Sequence, residues 1–216
     1  MEVVILLVIT FAVFVVYKMF TKFKVNEISK NMMEATAKND EQMFLAILND
    51  RWTKWLVRPY YVQMSKIRFY TVNRNTKKLQ ELTDFVLNSK IRGREKVGLL
   101  NPMFSYFLEN KDATYAKRIF DCLKDYFIEQ ENGRLLIEEL EVLMDVYVNP
   151  KEKRIKDLEK YISKSSDDDK EVWQYRLATL YLNLNKKDKA NEVLEDIRKH
   201  TKNMASYESF VAKNIK

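Results

Sequence analysis

Apolar side chains recur every three to four positions from residue 40 to residue 214, broken at short intervals by Asn, Asp and Lys. That spacing lays one apolar stripe along a helix. It predicts helices near 40–57, 59–72, 76–89, 96–109, 113–130, 134–147, 151–164, 168–184, 187–199 and 203–214. The intervals between them are short, so consecutive helices should run antiparallel. β-branched stretches such as Val146-Tyr147-Val148 fall within the same helical period, and no strand is expected. Several helix starts are marked. Asn101-Pro102 and Asn149-Pro150 each place a capping side chain before a proline at a first helical position. Glu152 adds the acid that a capping box uses. Pro59 suits a first helical position, and the acids after Ser166 suit a helix N-terminus.

The N-terminus has a different pattern. Val3 to Tyr17 is an apolar run whose only clearly polar member is Thr10, and Lys18, Lys22 and Lys24 follow it. At ~1.5 Å per residue the run spans ~22 Å, or ~27 Å if Lys18 extends its ammonium outward and the segment continues to Phe20. A bilayer core is ~30 Å thick, so the run is expected to be an uncleaved transmembrane helix. No basic residue precedes it and no small-residue cleavage site follows it, which argues against a signal peptide. The basic flank lies C-terminal, so the expected setting is a single-pass protein of the cell membrane with its N-terminus outside and its C-terminal domain cytoplasmic. The expected organisation is an anchor over 1–22, a linker or helix over 23–39, a basic and aromatic helical hairpin region over 40–96, helical repeats over 97–202 and a capping helix over 203–216.

The residues that carry a repeat lie towards the C-terminus. Leu177, Ala178, Tyr181, Asn185, Ala190, Leu194 and Ile197 have the spacing of a large apolar residue, a small one, an aromatic, a turn, a second small residue and two apolar residues. This resembles the tetratricopeptide repeat, with Asn185 where that family favours Gly. Met103, Phe104, Phe107, Lys111, Ala116, Phe120 and Leu123 repeat the spacing, though Phe104 and Lys111 depart from the pattern. A degenerate unit is expected near 134–164, carried by Val142, Val146, Ile155, Leu158 and Ile162. The fold class is therefore all-α: antiparallel helical hairpins stacked as a short tetratricopeptide-like solenoid, preceded by the transmembrane helix.

The resemblance implies a scaffold or adaptor that holds a partner protein or peptide in a groove lined by first helices. By alignment with the repeat, the groove residues would be Ser105, Leu108 and Glu109 in one unit and Tyr175, Thr179, Leu182 and Asn183 in the last. Met204, Tyr207, Phe210 and Val211 place a helical apolar stripe on the capping segment.

Composition narrows the chemistry. Glycine and proline number three each, too few for the turns of an all-β fold. Cys122 is the only cysteine, so no intrachain disulfide forms, and His200 is the only histidine. A Cys/His zinc site needs about four ligands, so no metal and no cofactor are expected. No glycine-rich phosphate loop is present, and the acids Glu138, Glu139 and Glu141 fit a solvated helix face. No enzymatic activity is expected.

Charge is unevenly placed. From Arg51 to Gln80 there are basic residues and no acids: Arg51, Lys54, Arg58, Lys66, Arg68, Arg74, Lys77 and Lys78. Residues 51–96 hold twelve basic and three acidic side chains, a net +9 against +7 for the whole chain. Trp52, Trp55, Tyr60, Tyr61, Phe69 and Tyr70 lie among them. Three readings stay open: a solvated face, contact with anionic lipid, or binding of an acidic protein segment or nucleic acid. Two alternatives to the cytoplasmic scaffold follow, an extracytoplasmic chaperone or assembly factor and a membrane-tethered nucleic-acid-binding protein.

Overall fold

The structure, a computed structural model, describes the backbone of residues 2–215 and all their side chains except those of residues 2–9, 167 and 168. The described residues form twelve helices and no strand: α1 (Glu2–Ala37), α2 (Glu41–Asn49), α3 (Arg51–Leu56), α4 (Pro59–Val72), α5 (Thr76–Asn88), α6 (Gly93–Glu109), α7 (Ala113–Ile128), α8 (Gly133–Tyr147), α9 (Arg154–Lys164), α10 (Asp167–Asn183), α11 (Lys187–His200) and α12 (Met204–Asn214). They fall into two units that meet at Met103/Phe104, inside α6.

One turn recurs through both units. Asn39, Arg74, Lys111 and Asn185 all adopt the left-handed conformation, with φ of 52°, 52°, 56° and 59°. Each ends a first helix, and the next residue's N–H reaches back five positions: Asp40 to Ala35, Asn75 to Tyr70, Asp112 to Phe107 and Lys186 to Tyr181, at 2.8–2.9 Å. This is the helix-terminating motif that usually employs glycine. Arg74 and Lys111 adopt it at a cost of about 1–2 kcal/mol each. Asp40, Asn75 and Asp112 then cap the second helix, accepting from the N–H groups of Met43, Lys78 and Tyr115. The left-handed residues lie 35, 37 and 74 residues apart.

The register of buried positions around these turns is shared as well. Seven residues before the turn lie Met32, Ile67, Phe104 and Ala178, and four before it lie Ala35, Tyr70, Phe107 and Tyr181, all buried. Five after it lie Phe44, Leu79, Ala116 and Ala190, also buried. Where two helices of a hairpin cross, the side chains at −4 and +5 must share a fixed volume. Two hairpins combine a large aromatic with Ala (Phe107 with Ala116, Tyr181 with Ala190), and α1–α2 inverts the arrangement with Ala35 and Phe44.

The α8–α9 hairpin keeps the register but not the chemistry. Counted from Asn149, Val142 and Leu158 are buried at −7 and +9, while −4 and +5 carry Asp145 and Arg154. Arg154 Nε donates to Asp145 Oδ2 at 2.8 Å, and Lys151 Nζ lies 2.6 Å from Asp145 Oδ1. Burial pushes the Asp145 carboxyl up, but hydrogen bonds from Lys151 and Arg154 outweigh it and hold the group below the usual carboxylate range.

The first unit is centred on Phe44, Ile67, Phe69, Leu79 and Val86, with the Phe44 and Phe69 rings stacked at 4.3 Å. In the second, Val142, Val146, Leu158, Leu177, Leu180, Tyr181 and Ala190 form one cluster, and Ala178, Leu194 and Ile197 another.

Several expectations are corrected. Among the described residues no helix is long and apolar enough to cross a membrane. The described side chains of α1 begin at Thr10, and Lys18, Lys22, Lys24 and Glu27 follow before an apolar length of that size is reached. Residues 3–9 of the expected run lie outside the described side chains. The transmembrane helix over 1–22 therefore does not stand, and with it goes the placement as a single-pass cell-membrane protein with a cytoplasmic C-terminal domain. Residues 23–37 continue α1. The helix expected over 40–57 breaks at Asp50, whose extended backbone and carboxylate cap Trp52 N–H at 2.7 Å and start α3. Pro102 lies inside α6 and does not begin a helix. Asn149-Pro150 does not begin α9, because Asp145 draws Lys151 into the turn and delays the helix to Arg154.

Candidate functional site

The second unit carries two adjoining cavities, of about 600 and 270 Å³, that share Glu109 and Tyr147. Ser105, Leu108, Glu109 and Tyr175 line the smaller one, and Glu109, Thr179, Leu182 and Asn183 the larger. Each of the seven sequence-predicted groove residues thus lines at least one of the two cavities. They come from α6 and α10, and Tyr147 enters from α8 between them.

Not all seven can meet a ligand. Leu108 and Thr179 are buried, and the Thr179 hydroxyl donates to the Tyr175 carbonyl at 2.8 Å. Asn183 donates from Nδ2 to the Val146 carbonyl at 2.9 Å and accepts from Lys111 Nζ at 3.0 Å. It therefore fixes α10 to α8 while setting a lysine at the cavity mouth. Ser105 and Glu109 are exposed. The sequence reading missed Tyr147, Lys111, Arg176, Lys187 and the inner face of α12, which also line the cavities. Tyr147 had a usable signal, being one residue after buried Val146 on the neighbouring first helix.

The charged groups are mixed. Glu109 pairs with Lys213 at 2.7 Å, and Arg176 stacks over the Trp173 ring at 4.3 Å. Burial, with Glu171 beside it, pushes the Tyr175 phenol up to about 12, and burial also raises the Tyr147 phenol. Both stay neutral at physiological pH and act as apolar surface with a polar tip.

The expected capping segment forms α12. Tyr207, Phe210 and Ile215 pack against the Ala178, Leu194 and Ile197 cluster, while Met204 stays exposed. No residue of α12 is fully buried, and its Phe210 ring meets Tyr175 at 4.9 Å. Replacing Phe210 with Ala removes a ring pair worth roughly 1 kcal/mol beyond its buried area. Amides of 204–214 are expected to lose hydrogen-exchange protection in this variant, while α10 and α11 keep theirs.

The eight basic positions from Arg51 to Lys78 do not gather at one site. Arg51 lies over the Trp52 ring at 5.2 Å, Lys78 pairs with Glu81 at 3.1 Å, and Arg74 makes the left-handed turn. Lys54 and Lys77 are exposed, Lys66 is half-buried, and Arg58 and Arg68 line a cavity of their own. Trp52 and Trp55 pack edge-on against Phe20 and Tyr17 of α1, at 5.5 and 6.3 Å.

Cys122 is half-buried on α7, and the exposed His200 turns its Nδ1 to the Asp196 carbonyl at 2.9 Å. Among the described residues no three His, Cys, Asp or Glu side chains gather as a metal site requires. No protein-family model, curated protein or solved structure matches the chain.

Proposed function

We propose that the chain is a non-catalytic helical-repeat scaffold that binds a partner protein or peptide along the first-helix surface of its second unit. The observation that carries this reading is the pair of adjoining cavities lined by α6, α8 and α10. They present neutral tyrosines, a buried leucine floor and a rim of Glu109, Lys111 and Lys187. An apolar floor with a few convergent polar groups is the surface that fixes a short peptide and sets its direction. The tetratricopeptide likeness of residues 172–199 and 98–125 supports the same reading, as does the hairpin register that recurs around Asn39, Arg74, Lys111 and Asn185.

Selection of displayed random peptides on the full chain tests it. Peptides that compete for this surface should bind at least roughly tenfold more weakly to Ser105→Arg and to Lys187→Glu, both exposed positions at opposite ends of the cavities. Selected peptides that bind both variants as tightly as the parent chain would remove the groove from the account.

A further inference from the structure

The first unit holds a cavity that the proposed function does not use. It measures about 550 Å³ and lies between α1 and α4. Ile28 and Met32 of α1 and Met64 of α4 form an apolar floor, and Tyr61 stands exposed beside it. Arg58 and Arg68 are exposed on its rim. Among the described residues neither arginine forms an ion pair. Acids of the neighbouring helices have partners of their own: Glu27 pairs with Lys24 at 2.7 Å and Glu34 with Lys38 at 2.6 Å on α1, Glu41 accepts from the Tyr70 hydroxyl at 3.1 Å and Asp50 from Trp52 N–H.

We infer that this cavity is a docking groove for an acidic amphipathic helix of a partner protein. Tyr61, Ser65 and Arg68 recur at four- and three-residue steps in one stripe along α4, and Arg58 is the extended residue that precedes its first turn. Arg58 and Arg68 are ten residues apart, ~15 Å along the helix axis. A ligand helix laid beside α4 meets both arginines with acids ten positions apart. Between those acids, apolar residues at helical spacing face Ile28, Met32 and Met64. Two acids of one helix match that backbone spacing, whereas a single carboxylate head on an acyl chain would need both arginine side chains to converge on it. Nucleic acid fits less well, because the floor is aliphatic and sulfur-bearing where stacked bases need ring faces. The acid-free stretch from Arg51 to Gln80 supplies the longer-range attraction that steers an acidic segment towards the groove.

The inference is independent of the second unit's cavities. Its probe is a fluorescein-labelled synthetic helix of moderate length with Glu at two positions ten apart and Leu at three helical positions between them, titrated into the full chain by anisotropy. Saturable binding is expected, weaker by at least roughly tenfold when both Glu are replaced by Gln. The double variant Arg58→Glu/Arg68→Glu should lose binding to the same degree while keeping its circular dichroism and melting temperature. Arg51→Glu/Lys77→Glu, an equal charge reversal away from the groove, should leave affinity within about threefold. Met64→Asp, which puts a charge on the apolar floor, should also abolish binding. Equal affinity for the Gln peptide overturns the inference, as does equal loss in the Arg51/Lys77 variant. So does tighter binding to anionic phospholipid vesicles or to an oligothymidylate that disappears in the Arg58/Arg68 variant.

Discussion

Asp145→Ala should destabilise the second unit by about 3 kcal/mol, because it strips the partner from a largely buried arginine. Arg154 is 13% exposed and its Nε donates to Asp145, so its charge is left with Asp157 alone, at 3.0 Å. The loss should appear as a lower midpoint in urea with an unchanged slope. A second substitution makes the expectation specific to the hairpin register. The other four hairpins fill the −4 and +5 positions with aromatic, aliphatic or alanine side chains. Asp145→Tyr/Arg154→Ala gives the α8–α9 hairpin the same pair as Tyr181 and Ala190. Replacing a buried ion pair by packed apolar groups is often neutral or stabilising. The double variant should therefore regain most of the stability that Asp145→Ala loses. Acid dependence follows from the same pair. The Asp145 carboxyl is held below its unfolded value of ~3.9, so its contribution is complete above that pH. The contribution fades as pH falls through the folded-state value. Asp145→Ala should show a shallower loss of stability below about pH 4 than the parent chain.

Phe44→Ala should cost about 3–5 kcal/mol in the first unit. Phe44 is 1% exposed and stacked on Phe69, and the matching position on the first helix of its hairpin is the small, buried Ala35. In the second unit the large residue is on the first helix and the small one on the second. Moving the bulk across, as Ala35→Phe/Phe44→Ala, should recover part of the loss, since volume-conserving exchanges are the best tolerated changes in a core. Calorimetry of the single and double variants checks it. No recovery would mean that the shared register at −4 and +5 does not reflect shared packing.

These substitutions also show what the sequence revealed and what it hid. The hairpins of 98–125 and 172–199 were legible because Ala116, Ala178 and Ala190 mark close helix crossings and aromatic residues precede each turn. The hairpin around Asn39 was not expected at all, and around Arg74 the two helices were expected but not their repeat register. The first reverses the small and large positions, and the second replaces the small residue with Leu79 and puts arginine where a glycine would be expected. The α8–α9 unit was degenerate for a physical reason: an ion pair occupies its crossing, and polar residues there read as solvated faces. The start of α9 was placed too early on Asn149-Pro150, because the pull of Asp145 on Lys151 depends on contacts that no local pattern contains. The seven groove candidates came from the alignment with the repeat, and each lines at least one of the two cavities. Tyr147 and α12 did not come from it, since their place at the cavities depends on how neighbouring hairpins pack. The apolar run at the N-terminus was the strongest single pattern in the chain, and its reading as a membrane span is the one that the described helices do not support.

The central claim is that a partner occupies the first-helix surface of the second unit. A photo-crosslinking amino acid placed in living cells at Ser105, and separately at Glu192 on the second helix of the last hairpin, tests it most directly. Both positions are exposed. One discrete protein adduct is expected from position 105, lost when Lys187→Glu is added, and none from position 192. Adducts of equal yield from both positions, or an adduct from 105 that survives Lys187→Glu, would contradict it.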